Sequence, residues 1–362
     1  MANVYGFIGL GLIGGSIAKG IRKAEPDCKI MAYMRTREKL ELARRDNIVD
    51  VILSGVDESM SECDIIFLCT PVEYNEEYLK ILKPILKEGA FITDVGSTKS
   101  QILKNVHELG MDRVFIGGHP MAGSERSGYE FSDPVLLENI FYMLCPSKGT
   151  PLAYTQRMVE LVRALKANPY VIEADEHDQA VATISHLPHL VAAALVNLVH
   201  DTDSAEHTMK RLAAGGFKDI TRVASSSPVM WQQIFNSNRD AVLAVLRKYI
   251  EAMEKIENDL KEDNMDAIHD LFVASGEYRA SFADAHGLIN AQYSFSVHVK
   301  DRPESISIIS AILAAGSVSI KNIGINHNRE TGDGALRIEF YDSDSCIKAE
   351  KLVSEYGFKV TR

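Results

Sequence analysis

The run Val4-Tyr5-Gly6-Phe7-Ile8-Gly9-Leu10-Gly11-Leu12-Ile13-Gly14-Gly15-Ser16 decides the fold. Its first five residues are mostly apolar and predict a buried strand, while Ile17 to Arg22 predicts a helix. Between them stands Gly9-x-Gly11-x-x-Gly14, the glycine spacing of a dinucleotide-binding turn. Gly9 would make the tight turn, Gly11 would admit a pyrophosphate, and Gly14 would let helix and strand close up. The phosphates would then meet free N–H groups at the helix N-terminus, where Leu12 and Ile13 lie.

That order of strand, glycine turn and helix predicts an α/β Rossmann domain, here given bounds of 1–173. The second strand, Lys29 to Tyr33, should end at the carboxylate that holds the ribose hydroxyls of NAD. Met34 stands there instead, followed by Arg35-Thr36-Arg37. Guanidinium groups suit a 2′-phosphate, so the cofactor reads as NAD(P), leaning to NADP; the alternative is a solvated helix start with Glu38 as partner. Further strands are expected at Cys63–Cys69, leading to Thr70 and Pro71, and at Ala90–Val95, leading to Ser97, a possible helix cap. Val114–Gly118 delivers His119 into the glycine-rich loop Gly117–Glu125, and Pro120 biases His119 toward extended backbone. In open parallel sheets ligands bind beyond the carboxyl ends of the strands, where Gly9–Gly14, Thr70, Pro71, Ser97 and His119 all fall. Strands near Tyr142–Cys145 and Tyr170–Ile172, with a helix over 152–166, complete the domain.

Composition excludes several classes. A net charge of −11 argues against a general nucleic-acid binder. Five widely spaced cysteines without a Cys-x-x-Cys predict a reduced, cytoplasmic protein. The N-terminus reads straight into a strand rather than as a signal peptide, and no run of about 18 apolar residues predicts a membrane span.

From Asp175 to about His286 the pattern is helical, predicting an all-α substrate and dimerisation domain over 174–287. Pro188 in Ser185-His186-Leu187-Pro188-His189 should bend or interrupt its helix. The two histidines share a face, but no third ligand accompanies them, so no metal is expected. Arg222 is flanked by apolar residues, which predicts that it meets a buried anion; an ion pair with Asp219 is the alternative. Trp231, taken alone, reads as core.

Taken together, the chain resembles the prephenate/arogenate dehydrogenases of tyrosine biosynthesis over residues 1 to about 286. The resemblance rests on Gly9–Ser16, Asp94-Val95-Gly96-Ser97-Thr98-Lys99, Gly118–Glu125, His186-Leu187-Pro188-His189, and Phe217–Arg222 with Trp231, all in the family's order. It implies oxidative decarboxylation of a cyclohexadienol: the hydroxyl loses its proton, the same carbon gives a hydride to the cofactor, CO2 leaves, and the ring becomes aromatic. By the same resemblance His119 assists deprotonation, Ser97 orients it, and Arg222 binds a substrate carboxylate. His189, Glu125 and Trp231 complete the substrate set, and the helical domain pairs into a homodimer. Two other readings are another dehydrogenase with the same nucleotide half and a non-catalytic NAD(P)-linked amino-acid sensor. A sensor would not need a base and an anion clamp.

The last seventy residues change pattern. Strands at 291–299, 318–325, 335–341 and 358–361, with helices at 305–315 and 345–356, predict βαββαβ over 291–362. This resembles an ACT domain, a small α+β regulatory module, which implies tyrosine as effector. Glu304 replaces the usual glycine after the loop proline, so tyrosine regulation is the expected role and a purely dimerising module, with Glu304 obstructing the effector, is the alternative.

Overall fold

The computed structural model describes residues 2–123, 126–285, 293–300, 302, 304–327 and 333–361. It divides into two compact units, residues 1–254 and 255–362.

In the first unit an eight-stranded sheet runs β3-β2-β1-β4-β5-β6-β7-β8. The strands are β1 (Val4–Ile8), β2 (Lys29–Tyr33), β3 (Val51–Ile52), β4 (Ile65–Leu68), β5 (Phe91–Asp94), β6 (Phe115–Pro120), β7 (Phe141–Pro146) and β8 (Asn168–Val171). β1 to β6 are mutually parallel; β7 runs antiparallel to β6, and β8 parallel to β7, so the sheet is mixed. Helices α1 (Leu12–Ala24), α2 (Arg37–Arg45), α3 (Asn75–Leu82), α4 (Ser100–Glu108) and α5 (Leu152–Ala164) connect the strands. Side chains alternate across the sheet. Phe7, Ile30 and Phe67 pack with Ile17, Ile21 and Val162 on one face. Ile8, Met31, Ile66, Leu68 and Phe115 pack with Leu79, Ile102 and Val106 on the other. With both faces covered, the strands read as unbroken apolar runs. Each such side chain, fully buried, contributes about 1.5–3 kcal/mol.

The helical part follows with α6 (Ala174–Val181), a π-helical turn (Ala182–His186), α7 (Leu187–Thr202), α8 (Thr208–Leu212), α9 (Gly215–Thr221), α10 (Pro228–Ser237) and α11 (Arg239–Lys261). The α-helix is interrupted just before Pro188, as its sequence position predicted. Pro188 sits in the first turn of α7, and the helix widens into the π turn just before it. The missing proline N–H is absorbed by that wider turn. His189 Nδ1 lies 2.8 Å from the Ser185 carbonyl and donates to it. The continuous run Ala174–Thr202 is long and apolar enough to cross a membrane by length and composition, a span the apolar-run reading did not anticipate. Yet the same helix carries His177, Asp178 and His186, all buried within the protein.

The second unit holds the last turns of α11 and then α12 (Met265–Ala285), followed by β9 (Ser294–Lys300), α13 (Ser305–Ala315), β10 (Ile320–His327), β11 (Asp333–Phe340), α14 (Ser343–Glu355) and β12 (Val360–Thr361). The four strands form one sheet in the order β10-β11-β9-β12, all antiparallel. Its core joins Phe295, Val297, Leu336 and Ile338 to Ile309, Leu313 and Val353 of the two helices. The expected βαββαβ order is what the chain adopts. Ser124, Glu125, the expected domain limit near His286, Ala291 and Gln292 of the first strand, Asp301 and Pro303 of the turn, and residues 328–332 lie outside the described residues.

Candidate active site

The glycine turn behaves as its spacing predicts. Gly9 has φ +87°, in the left-handed region, and an added Cβ would meet the Cys69 carbonyl oxygen at 2.8 Å. At Gly14 a Cβ would meet the Gly9 oxygen at 2.9 Å, so helix and strand do close up here. Nothing lies within 4 Å of the corresponding point at Gly11, which begins α1 without a side-chain cap and with no acid in the first turn. Open space, the first-turn N–H groups of Leu12 and Ile13, which have no carbonyl partner within the helix, and a positive helix end fit a dinucleotide pyrophosphate. Thr70 and Pro71 follow β4, the neighbour of β1, and an added Cβ at Gly9 would lie 3.2 Å from the Thr70 methyl. Arg35, Thr36 and Arg37 are exposed beyond β2, and Arg37 reaches Glu41 at 3.7 Å.

β1, β4, β5 and β6 are consecutive and parallel, so Gly9–Gly14, Thr70, Ser97 and His119 lie at one end of adjacent strands, about 5 Å apart. His119 is itself the fifth residue of β6, paired across to Met143, and does not lie in the loop beyond the strand. A buried ion pair knits the loops together. The Lys99 ammonium donates to Asp94 and, at 2.8 Å, to the Gly118 carbonyl; both side chains are fully buried. Asp94 also accepts from Gly96 N at 2.9 Å and Gly118 N at 3.1 Å. One carboxylate therefore holds the residue before Ser97 and the residue before His119. Ser97 does not cap α4, which begins only at Ser100. The amides of Lys99 and Ser100 donate instead to Asp178 of α6, each at 2.8 Å.

His177 and Asp178 were missed in the sequence because neither belongs to a quoted motif and their partners, His119 and the Lys99 and Ser100 amides, are 58 to 79 residues away along the chain. His119 Nδ1 sits 2.8 Å from His177 Nε2, and His177 Nδ1 sits 2.8 Å from Asp178 Oδ1. Burial first, then the unfavourable meeting of a second positive charge with His177, Lys99 and His186, holds the His119 imidazole well below its usual titration range, so the ring is neutral at pH 7. Burial pushes Asp178 up, but bonds from His177 and from the Ser100 and Lys99 amides outweigh it and leave the carboxyl below its ordinary value.

In the helical part, the His189 and Trp231 rings lie with centroids 4.0 Å apart and planes tilted by 33°, and Trp231 is half-buried with its Nε1 lacking a protein partner. The turn Arg222–Ser225 packs on α7, the helix of His189. Arg222 is exposed in the single chain, where the sequence had predicted a buried anion partner. Glu125 lies outside the described residues. His186 is buried against Asn238, and burial brings its imidazole down to about 4. An unfolded histidine titrates near 6.5, so between those values only the unfolded chain takes the proton. Stability should therefore fall as pH drops from about 6.5 to 4, by about 2–3 kcal/mol for this one group. His119 acts in the same direction. Denaturant titrations at the two ends of that range check it.

Comparison with known proteins agrees with this geometry. Residues 17–171 match the family domain described as "Prephenate dehydrogenase, nucleotide-binding domain", and residues 173–274 match "Prephenate dehydrogenase, dimerization domain". The prephenate dehydrogenase of Bacillus subtilis is 38% identical over 355 residues, covering 95% of this chain and 94% of that protein. The Lactococcus lactis prephenate dehydrogenase is 35% identical over 353 residues and 96% of both chains. A crystal structure of prephenate dehydrogenase from A. aeolicus, in complex with hydroxyphenyl propionate and NAD+, superposes with a TM-score of 0.73 at 28% identity, covering 78% of this chain and 99% of that one. The chain belongs to the prephenate dehydrogenase family, oxidoreductases that carry out an oxidative decarboxylation in tyrosine biosynthesis.

Proposed function

We propose that this chain converts prephenate to 4-hydroxyphenylpyruvate, with His119 as base, and that arogenate is the alternative substrate. The observation that carries the reading is the joint tether of the Ser97 and His119 loops by Asp94, at the strand ends that also bear the glycine turn. Gly9, Gly11, Leu12, Ile13, Gly14, Thr70 and Pro71 would hold the dinucleotide, which when bound accepts the hydride from the substrate carbinol carbon. His119 Nε2 takes the hydroxyl proton as the C–CO2 electron pair enters the ring. Ser97 orients that hydroxyl. Arg222 binds a carboxylate, while His189, Trp231 and Glu125 line the side-chain end. The full N-terminal domain is assigned to 1–173, the helical domain to 174–287 and the last to 291–362.

For the cofactor, NADP+ is supported by the absence of an acid after β2 and by the exposed Arg35 and Thr36. NAD+ is supported by the A. aeolicus relative, and comparing kcat/KM with each separates them. A homodimer is supported by the matched dimerization domain and by an apolar groove of about 970 Å³ lined by Leu190, Val229, Phe235, Val242, Leu243 and Leu246. The βαββαβ unit is read as an ACT domain that takes tyrosine; Glu304 is exposed at the start of α13, and tyrosine titration tests whether it blocks the site. A cytoplasmic enzyme is the corresponding cellular setting.

The decisive assay follows reduced nicotinamide absorbance with prephenate and arogenate, each with NAD+ and NADP+. Absence of reduction in all four sinks the reading. Arg222→Ala is expected to raise KM about 10–100-fold with little change in kcat, the loss of one charge-assisted pair. An unchanged KM would make Arg222 structural.

A further inference from the structure

We propose that His177 and Asp178 are positioning residues that set the tautomer of His119 and leave its Nε2 lone pair for the substrate hydroxyl. The inference rests on His119 acting as the base, as read above. It follows from which atoms can carry hydrogen.

Asp178 already accepts two backbone N–H groups, one on each oxygen, so its carboxylate is an acceptor toward every neighbour. The ring nitrogen facing it, His177 Nδ1, must therefore donate. In the tautomer with its hydrogen on Nδ1, His177 carries a lone pair at Nε2, and the atom 2.8 Å from Nε2 is His119 Nδ1. So His119 Nδ1 donates, and its Nε2 is the unprotonated nitrogen. The His177–Asp178 end of the connection is shielded from solvent: His177 is fully buried and Asp178 is 3% exposed. The carboxylate cannot swing away, since the same two oxygens close the N-terminus of α4, and Asn238 Nδ2 donates to the Asp178 carbonyl at 2.9 Å.

When His119 Nε2 accepts the hydroxyl proton, the imidazolium keeps its Nδ1–H bond to His177. Positive charge then faces a polarisable ring backed by a carboxylate. Proton transfer from His119 Nδ1 to His177 Nε2 breaks one N–H bond and forms another, with Asp178 facing the resulting cation. The other carboxylate of the cluster, Asp94, is bonded to Lys99, so Asp178 is the anion that faces the histidines through His177.

The test uses the full-length protein with His177→Phe, His177→Gln and His119→Asn, each checked for fold by circular dichroism and thermal melting. His177→Phe removes the acceptor and is expected to lower kcat on the order of 100-fold with KM within about threefold. Glutamine can return a carbonyl oxygen near the position of the lost Nε2, and should recover at least about tenfold of that loss. In the unmodified protein, 15N NMR of the His119 ring should report a protonated Nδ1 and a bare Nε2, a measurement that does not depend on any variant folding. A protonated Nε2 in that spectrum overturns the proposal, as does a folded His177→Phe enzyme with kcat within threefold of the parent. If His119→Asn itself keeps full kcat, the base assignment fails instead, and the two failures are told apart.

Discussion

His119→Asn is expected to lower kcat by about 10³–10⁴-fold while leaving KM within a few-fold, because it removes the base and little else. The asparagine amide reaches roughly as far as Nδ1 of the imidazole, so its N–H can still donate to His177 Nε2, now 2.8 Å from His119. The backbone position is held independently by the Lys99 bond to Gly118 and by the pairing of His119 with Met143. What disappears is Nε2. Carbonyl oxygen is far too weak a base to replace it, so the loss falls on the transition state rather than on substrate binding. Steady-state kinetics with saturating cofactor measure the split. A variant with raised KM and preserved kcat would mean that His119 binds substrate without accepting its proton.

Lys99→Met is expected to be the most destabilising single change among the described residues of the site, by about 3–5 kcal/mol. Methionine matches the stem but leaves the Asp94 carboxylate buried without its cation, holding only the Gly96 and Gly118 amides. Removing one member of a buried pair exposes the other to the full desolvation penalty. For a domain of this size that corresponds to a melting point lower by roughly 10 °C. Activity should fall as well, since the Gly118 carbonyl loses the donor that holds the residue before His119. The control is Lys80→Met, which breaks an exposed 2.6 Å pair with Glu76 on α3 and should leave the melting point nearly unchanged. Equal effects of the two substitutions would contradict the assignment of Asp94–Lys99 as the tie between the loops.

Much of this was legible in the chain. Local rules set the glycine turn, because only a left-handed φ at Gly9 and close packing at Gly14 satisfy that geometry, and both are properties of short spacings. The succession of strands and helices in the last βαββαβ unit followed from period-two and helical patterning in the same way. Local rules erred where a distant group intervened. Ser97 looked like the cap of α4, but the capping carboxylate comes from Asp178, 78 residues on from Ser100.

The amino-acid sequence by itself determined the nucleotide half, the helical half, the small last unit and the identity of His119 as the imidazole at a strand end. These depend on periodicity, glycine spacing and motif order, which are written along the chain. Only the tertiary structure decided what surrounds that imidazole: the Asp94–Lys99 pair beneath it and the His177–Asp178 pair beside it. Tautomer, charge and aim are set by groups brought together from β5, β6 and α6, and a hydrogen bond between residues 58 apart leaves no periodic trace in the sequence.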